Sequence, residues 1–352
     1  MKLSNLIIKI PKNLIKKKPP IIKDKAKLMI INKKNFKIKH DKLKNLIKYF
    51  NKNDVIIRNN TKALPYEITG KKEKTKANIK IFLLKEINKK KNIWDTLVKP
   101  ARKVRIGNKI YFKYKKNNKY LILEIIDNTT SRGRIIKFIN KKDNKVIKKR
   151  IENITKIKLA NYLIKKKKNY NIKNYQNIYA KKKGSIIFPT NGIHFSKNLF
   201  LKLLLKNIKI TDITLHNNYF NSKKINIEDL SKYKINSEEL IINKKNCKII
   251  NKALKNKKKI CCIGVDTLNG IENSINSKNL LKKYNGYINK FIYSPFKFNI
   301  INSLISTFYY PKTIQFIILS TFCGYNNIKK IYEEAINKKY NFLSYGDLML
   351  IK

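Results

Sequence analysis

The sequence predicts an α/β protein that is interrupted by a small antiparallel β domain. Apolar runs at residues 208–215 and 259–264 are separated by helical patterns, as in proteins built on parallel strands. Between residues 62 and 157 the pattern changes, because short β-prone runs recur about every dozen residues with turn signals between them. We therefore predict that residues 1–61 and 158–352 form the α/β domain and that residues 62–157 form an inserted β-barrel or sandwich.

The chain is strongly basic. Its 352 residues include 83 Lys and Arg against 21 Asp and Glu, which gives a formal net charge of +62. Such an excess is far beyond what solubility needs and makes polyanions the default partners. A coding sequence rich in A and T also produces this composition, since Lys, Asn and Ile dominate and only six arginines occur. The charge therefore permits RNA binding without proving it.

No metal site or membrane segment is expected. The cysteines and histidines show no metal-ligand spacing, and free thiols are typical of a reducing cytoplasm. No apolar run approaches the roughly 18 residues of a membrane span, and the start of the chain lacks a signal-peptide pattern. We expect a cytoplasmic monomer that does not bind membranes. The residues concerned are Cys247, Cys261, Cys262, Cys323, His40, His194 and His216.

In the first segment, strands are predicted at residues 28–31 and 55–57, with a helix near residues 41–50. The second strand runs directly into Asn59-Asn60-Thr61-Lys62, four polar residues at a strand end. Their asparagine side chains either form Asx turns, which is the more frequent role, or face a ligand. In the inserted segment, the predicted strands cover residues 79–84, 109–114, 120–126 and 134–139.

The central feature of the second α/β segment is the stretch of residues 183–195, KGSIIFPTNGIHF. The run at residues 186–188 predicts a buried strand, which the following proline and glycine end. Ser196 is placed to cap the next helix, whose apolar stretch covers residues 199–205. His194 thus lies in a strand-to-helix turn, where α/β proteins place ligand-binding groups. Alternatively, this histidine only bonds the backbone of its turn.

Two later strands also lead into polar residues. The strand at residues 208–215 ends at His216. The next buried strand is followed by Asp266 and Thr267, before a helix predicted at residues 268–277. This carboxylate and hydroxyl either cap the helix or face a site at the carboxyl ends of the strands.

Near the end of the chain, Pro311 precedes an apolar helix predicted through Thr321, which Gly324 can end. An amphipathic helix follows around residues 328–336. The chain then reads Phe342-Leu343-Ser344-Tyr345-Gly346-Asp347. Its aromatic ring and carboxylate could stack on a base and bind a ribose hydroxyl, although Tyr-Gly-Asp is also common turn chemistry. No Walker loop or G-x-G-x-x-G motif occurs.

Taken together, these stretches resemble one family, the S-adenosylmethionine:tRNA ribosyltransferase-isomerases of queuosine biosynthesis. The likeness covers nearly the whole chain, in order and with similar spacing, although no single motif decides it. The matching motifs are Asn59-Asn60-Thr61-Lys62 with Gly70; Trp94 with Leu97-Val98-Lys99-Pro100-Ala101; residues 184–195; Thr214-Leu215-His216; Asn236-Ser237-Glu238; Phe291-Ile292-Tyr293; residues 322–325; and residues 342–349.

The resemblance implies a barrel-like α/β catalytic domain with an inserted small antiparallel β-barrel domain. It also implies the reaction, in which the ribosyl part of S-adenosylmethionine moves to 7-aminomethyl-7-deazaguanine at the wobble position of tRNA. This gives epoxyqueuosine and releases adenine and methionine. S-adenosylmethionine is then a co-substrate, tRNA is the partner, and no metal or prosthetic group is required. Such chemistry needs a base, an acid and a pocket for an unstacked nucleobase.

Among the groups at predicted turns, the resemblance implies that His194, His216, Glu238 and Asp266 are the catalytic candidates. We expect both histidines to meet Asp266 and Asp347 in one pocket, since the carboxyl ends of parallel strands share one edge of a sheet. The substrate-binding candidates are Asn59, Asn60, Thr61, Lys62, Pro189, Thr190, Asn191, Gly192, Phe195, Thr267, Tyr293, Ser344, Tyr345, Gly346 and Asp347.

The chain departs from the family pattern at several positions. After His216 it has residues 217–222, NNYFNS, in place of a glycine-rich loop. Residues 265–269 lack the paired threonines, serine and arginine of the family. Thr307 replaces an asparagine, and Tyr309 replaces a histidine. Lost glycines prevent close backbone approach, and a lost arginine removes a fixed charge. Two interpretations remain: an active tRNA-modifying transferase, or a degenerate, non-catalytic basic RNA-binding protein that keeps the fold.

Overall fold

The computed structural model of the chain describes residue 3 and residues 8–352, apart from 65, 89, 114–119, 130–132, 140–145, 148–150 and 152–171. The chain forms two compact units, one of Met1–Ala63 with Tyr162–Lys352 and one of Leu64–Asn161. The domain boundaries predicted after residues 61 and 157 remain a prediction, and the second of them lies outside the described residues.

The larger unit contains eleven strands and five α-helices in its described part. Its strands are β1 (Lys27–Ile31), β2 (Ile38–Lys42), β3 (Val55–Asn59), β4 (Thr61–Ala63), β11 (Lys182–Ser185), β12 (Lys209–His216), β13 (Glu238–Ile242), β14 (Ile260–Ile263), β15 (Tyr284–Ile288), β16 (Ser303–Thr307) and β17 (Leu348–Ile351). Its helices are α1 (Lys197–Leu205), α2 (Lys244–Lys255), α3 (Val265–Glu272), α4 (Ile314–Cys323) and α5 (Tyr325–Asn337). Short 3-10 helices cover Lys12–Leu14, Leu43–Tyr49, Ile172–Tyr175, Thr190–Gly192, Phe220–Ser222 and Leu230–Lys232.

Nine of these strands form one mixed sheet in the order β15-β13-β12-β3-β14-β16-β17-β1-β2, and β4 pairs with β11 in a separate two-stranded sheet. Strands β12, β3, β14 and β16 run parallel to one another, and β1 runs parallel to β17. The other neighbours in the nine-stranded sheet are antiparallel. The barrel-like α/β part is thus an open sheet with β15 and β2 as its edge strands.

Apolar side chains on the two faces of this sheet build two hydrophobic cores. Along β1, Met29 and Ile31 belong to one core and Leu28 and Ile30 to the other, because successive side chains of a strand point to opposite faces. Helices α2 to α5 contribute to the first core and α1 to the second. Strands β14 and β16 are buried along their whole length, which explains their nearly continuous apolar runs.

The smaller unit is a closed barrel of six antiparallel strands in the order β10-β7-β6-β5-β8-β9, which the pairing of β9 with β10 closes. Buried Ile79, Ile81 and Leu83 alternate along β6 with more exposed residues, as expected for a strand with one face in the core. Its strands are β5 (Glu67–Lys72), β6 (Asn78–Asn88), β7 (Ile93–Lys99), β8 (Lys109–Lys113), β9 (Tyr120–Asn128) and β10 (Arg134–Ile139), with a 3-10 helix at Ala101–Lys103.

The fold class predicted from the sequence is confirmed: the protein is mixed α/β with a small antiparallel β-barrel. The four cysteines are free and buried, as expected. None of the helices in the described part of the chain is long and apolar enough to cross a membrane.

Three local predictions are wrong. The strand predicted at residues 186–188 is absent, since β11 ends at Ser185, whose hydroxyl donates to the Ile187 carbonyl (2.7 Å) as the chain turns. The helix predicted near residues 41–50 is the end of β2 followed by a 3-10 helix. Helix α3 begins at Val265 rather than at residue 268, because Gly264 takes the cap position.

The capping of helix α1 provides a test of local stability. The Ser196 hydroxyl accepts a hydrogen bond from the Leu199 N–H (3.0 Å), as predicted. We expect Ser196→Ala to lower the free energy of unfolding by about 1 kcal/mol, because a backbone N–H loses its partner. Urea unfolding measures this loss, with Ser196→Asn as a control that keeps an acceptor. Equal losses in the two variants would contradict the capping explanation.

Candidate functional site

The ends of the central strands bring most of the predicted site residues to one edge of the nine-stranded sheet. Parallel strands β3, β12, β14 and β16 all finish there, and antiparallel β17 begins there. This follows from the register, because the carboxyl ends of parallel strands lie side by side. The pairs that define the edge are Asn59 with Ile213, Ile57 with Cys262, Ile263 with Ile305, and Thr307 with Leu348.

Asn59 joins the ends of β3 and β12. Its side-chain oxygen accepts hydrogen bonds from the backbone N–H groups of Thr61 (3.1 Å) and Leu215 (3.0 Å). Its amide donates to the Leu215 carbonyl (2.9 Å) and to the Asn217 side chain (3.3 Å). The adjacent Asn60 accepts from the Thr214 hydroxyl (2.6 Å). Asn59 therefore forms the expected Asx turn and also a bridge between two strands.

His216 lies half-buried at the end of β12. Its Nδ1 is 2.7 Å from the Thr61 hydroxyl oxygen. Gly184 leaves room for the ring, since a Cβ at that position would lie 2.5 Å from it. Burial lowers the pKa of His216, against a smaller opposite effect of Glu239. The imidazole is therefore neutral at neutral pH, and its Nε2 can accept a proton when Nδ1 donates to Thr61.

Glu238 holds the loop that follows His216. The backbone N–H of Asn218 donates to Glu238 Oε1 (2.9 Å). The Asn221 amide donates to the Asn236 carbonyl (3.0 Å), and the Asn221 side-chain oxygen accepts from the Asn236 N–H (3.1 Å). Hydrogen bonds from side chains thus give this loop a defined conformation without the glycines of the family pattern.

Glu238 and Asp266 form a pair of carboxyl groups. Burial, and then the like charge of Asp266, raises the pKa of Glu238 to about 8. Burial also raises the pKa of Asp266, against hydrogen bonds from Gln315 (3.3 Å) and from the Asn217 side chain. Glu238 therefore carries a proton at neutral pH and can donate it, as a general acid does.

Asn191 ties the turn before helix α1 to the end of β16. Its side-chain oxygen accepts from the Thr307 N–H (2.9 Å), and its amide donates to the Tyr309 hydroxyl (2.8 Å). Gly264, with a φ of 91°, lies against it, and a Cβ there would be 2.8 Å from the amide nitrogen. Burial, and then the charge of Asp266, raises the pKa of Tyr309, so this phenol keeps its proton near the carboxyl pair.

His194 lies apart from this group. Its side chain is 1% exposed, and neither ring nitrogen has a hydrogen-bond partner among the described residues. Burial, and then the charges of Lys23 and Lys16, lowers the pKa of His194 to about 3. No hydrogen bond or ionic interaction in the described part of the chain joins it to His216 or Asp266. The structure thus brings His216, Glu238 and Asp266 together through the loop at residues 217–218, without His194.

Asp347 also lies at this edge, but its carboxylate bonds the backbone. One oxygen accepts from the Lys27 N–H (2.8 Å), and the other accepts from the backbone and side-chain nitrogens of Asn341 (2.8 and 3.0 Å). These bonds tie the starts of β1 and β17 together. Among the described residues, no contact joins Asp347 to Asp266 as we expected.

The other predicted substrate-binding residues lie in varied surroundings. The Thr267 hydroxyl donates to the Ile263 carbonyl (2.7 Å) within helix α3, which uses it structurally. Phe195 is fully buried and stacks on Phe200 with ring centroids 5.3 Å apart. Tyr345 packs edge-on against Tyr175 (5.7 Å). Of the rest, Lys62 belongs to β4, Pro189, Thr190 and Gly192 to the turn before α1, Tyr293 to an aromatic group with Phe291, and Ser344 and Gly346 to the turn before β17.

Sequence reasoning missed three members of the site. Asn217 directly follows His216, so the argument from strand ends that selected the histidine also applies to it. Gln315 is a polar side chain in the first turn of an otherwise apolar helix, which is an unusual position. Tyr309 was noted only as a departure from the family pattern, although it follows a buried strand and lies near Asp266.

Solved structures identify the class of fold. The chain is similar to the crystal structure of an S-adenosylmethionine tRNA ribosyltransferase from Thermotoga maritima, with a TM-score of 0.56. The match covers 99% of this chain and 100% of that one, at 22% sequence identity. At that identity, the likeness shows a shared fold, an α/β sheet interrupted by a β-barrel.

Sequence comparison then gives the family. The family model described as "Queuosine biosynthesis protein" matches residues 3–351. Proteins named S-adenosylmethionine:tRNA ribosyltransferase-isomerase are 40% identical in Flavobacterium psychrophilum and 39% identical in Cytophaga hutchinsonii. Both alignments cover 100% of this chain and of the relative. The chain therefore belongs to the queuosine biosynthesis protein family, and the resemblance seen in the sequence is confirmed.

The raised pKa of Glu238 predicts how stability depends on pH. The folded protein holds a proton up to about pH 8, whereas an unfolded chain releases it near the ordinary value of 4.5. Stability should therefore fall as the pH rises from 4.5 to 8. Glu238→Gln cannot ionise, so it should remove much of this fall, on the order of a few kcal/mol.

Urea unfolding at several pH values within this range measures the effect. Asp229→Asn is the matched control, since Asp229 is an exposed carboxyl group. The same pH dependence in Glu238→Gln and in the unaltered protein would show that Glu238 ionises normally.

Proposed function

We propose that this protein is an S-adenosylmethionine-dependent tRNA ribosyltransferase-isomerase. It transfers the ribosyl part of S-adenosylmethionine to 7-aminomethyl-7-deazaguanine at the tRNA wobble position, isomerises it to give epoxyqueuosine, and releases adenine and methionine. The observation that carries this proposal is the full-length similarity, at 36–40% identity, to several proteins with that name. S-adenosylmethionine and tRNA are the substrates that the name implies.

We propose Glu238 as the acid that assists the departure of adenine. An adenine leaving as an anion is unfavourable, so a positioned proton donor lowers the barrier. Glu238 fits this role because it is protonated at neutral pH and a backbone N–H fixes its Oε1. Asp266, which repels the charged form of Glu238, is placed to balance the positive sulfonium of the substrate.

His216 is our candidate for the base that removes the proton beside the sulfonium. It is neutral at neutral pH, and its contact with Thr61 fixes the ring. Asn217 follows it in sequence and bonds Asp266, so the histidine and the carboxyl pair are attached to one short segment. An acid and a base thus lie on the two sides of one loop.

The alternative, a basic RNA-binding protein without catalysis, is less well supported. It rested on the loss of glycines after His216. In the structure, that loop is held by Glu238 and by the exchange of hydrogen bonds between Asn221 and Asn236. A degenerate site has no need for a buried carboxyl group of raised pKa, because such a group destabilises the protein.

Turnover by site variants tests the proposed roles. Purified protein is incubated with S-adenosylmethionine and tRNA that carries the deazaguanine precursor, and the nucleosides are analysed for epoxyqueuosine. We expect His216→Ala and Glu238→Gln each to lower turnover by roughly 10²-fold or more, because each removes a proton-transfer group. Asp229→Asn should retain turnover. Near-normal turnover in both site variants would refute these roles, and no product from the unaltered protein would refute the function itself.

The net charge predicts how tRNA binding responds to salt. If lysines neutralise phosphates, the logarithm of the affinity should fall with the logarithm of the salt concentration by about 0.7 to 0.9 per phosphate. Filter binding at several salt concentrations measures this slope. Unmodified RNA of unrelated sequence is the comparison, and equal affinity for it at moderate salt would indicate simple polyelectrolyte attraction. A monomeric state and a cytoplasmic location also remain proposals, which size-exclusion chromatography and cell fractionation would test.

A further inference from the structure

His194 is a buried polar side chain whose hydrogen-bonding groups are not used by the described protein. It is 1% exposed, and both Nδ1 and Nε2 lack a hydrogen-bond partner among the described residues. Buried polar groups nearly always have partners, and an unpaired one destabilises the folded state. An apolar side chain of similar size would pack there without that loss. The imidazole is therefore better explained by a ligand than by folding.

The backbone around His194 places positive charge beside it. The Asp24 N–H donates to the His194 carbonyl (2.8 Å), and the Ser196 N–H donates to Asp24 Oδ1 (2.9 Å). These two bonds hold the segment with Lys23 against the turn that carries the histidine. Lys23 is half-buried and Lys16 is exposed.

The charges in this region are unbalanced. Lys23 and Lys16 both act electrostatically on His194. Asp24 is the one acidic group that acts on Lys23, and its Oδ1 already accepts from the Ser196 N–H. Partial burial lowers the pKa of Lys23, so the neighbouring carboxylate does not fully offset its loss of hydration. A second negative group close to Lys23 would be stabilised.

We propose that His194, Lys23 and Lys16 form an oxyanion subsite that takes a carboxylate or phosphate group of a substrate. The neutral imidazole donates one N–H to the oxyanion, and the two ammonium groups supply the positive charge. The segment belongs to the sheet edge that carries the candidate site, because Lys27 begins β1 beside Asp347. The identity of the substrate rests on the proposed function, which offers the carboxylate of S-adenosylmethionine or a backbone phosphate of tRNA.

This assignment gives His194 a binding role in place of proton transfer. An imidazole with a pKa near 3 is a weak base at neutral pH, and two nearby lysines disfavour its protonated form further. The same features suit a hydrogen-bond donor that must stay neutral while lysines carry the charge. The two histidines predicted for one pocket then have different tasks.

Two variants test the subsite. His194→Phe removes the imidazole and keeps a ring, so we expect unchanged or higher melting temperature and roughly 10-fold weaker oxyanion binding. Lys23→Ala should weaken binding by a similar factor, and it covers the case in which His194→Phe does not fold. Lys17→Ala is the matched control, since it removes a neighbouring exposed lysine.

Binding is measured by calorimetry with four probes: S-adenosylmethionine, its decarboxylated analogue, tRNA, and inorganic phosphate. Weaker binding of S-adenosylmethionine but not of the decarboxylated analogue assigns the carboxylate, and weaker binding of tRNA alone assigns a phosphate. If the unaltered protein binds neither substrate, the proposed function fails, and inorganic phosphate still tests the subsite. Variants that bind every probe as Lys17→Ala does would overturn the proposal.

Discussion

The buried side chain of Asn59 is the contact on which the candidate site depends. It accepts from Thr61 and Leu215 and donates to Leu215 and Asn217, so each of its polar atoms has a partner. Such a fully satisfied network is stronger in a buried environment than in water and permits one arrangement only. Through Leu215 it fixes where β12 ends, which positions His216. Through Asn217 it orients the amide that bonds Asp266.

The candidate site has the opposite charge to the rest of the chain. The net charge is +62, yet no Lys or Arg of the described residues is among the charges that shift the pKa of Glu238 or Asp266. A lysine beside this pair would lower both pKa values and keep both groups ionised. Without one, the pair retains a proton at neutral pH. The resulting loss of stability is local, which is typical of groups kept for function.

The sequence predicted what depends on local pattern and failed where distant contacts decide. The buried strand at residues 259–264 and the cap at Ser196 follow from apolar runs and cap chemistry. The end of β11 at Ser185 depends instead on a hydroxyl that also bonds the backbone of Asn217, which is distant in sequence. The place of His194 likewise depends on the Asp24 N–H, which comes from another part of the chain. No local pattern encodes either contact.

Asparagine, which a coding bias towards A and T favours, replaces glycine in the loop after His216. Glycine permits a loop to follow a ligand closely, whereas an asparagine amide both donates and accepts and so fixes a loop by hydrogen bonds. Here the Asn218 N–H is bonded to Glu238, and the Asn221 side chain is bonded to Asn236. The loop therefore acts on a substrate through the acid that it positions. Surface lysines produced by the same bias carry little functional information, because a solvated charge needs no partner, but a buried amide with every partner in place does.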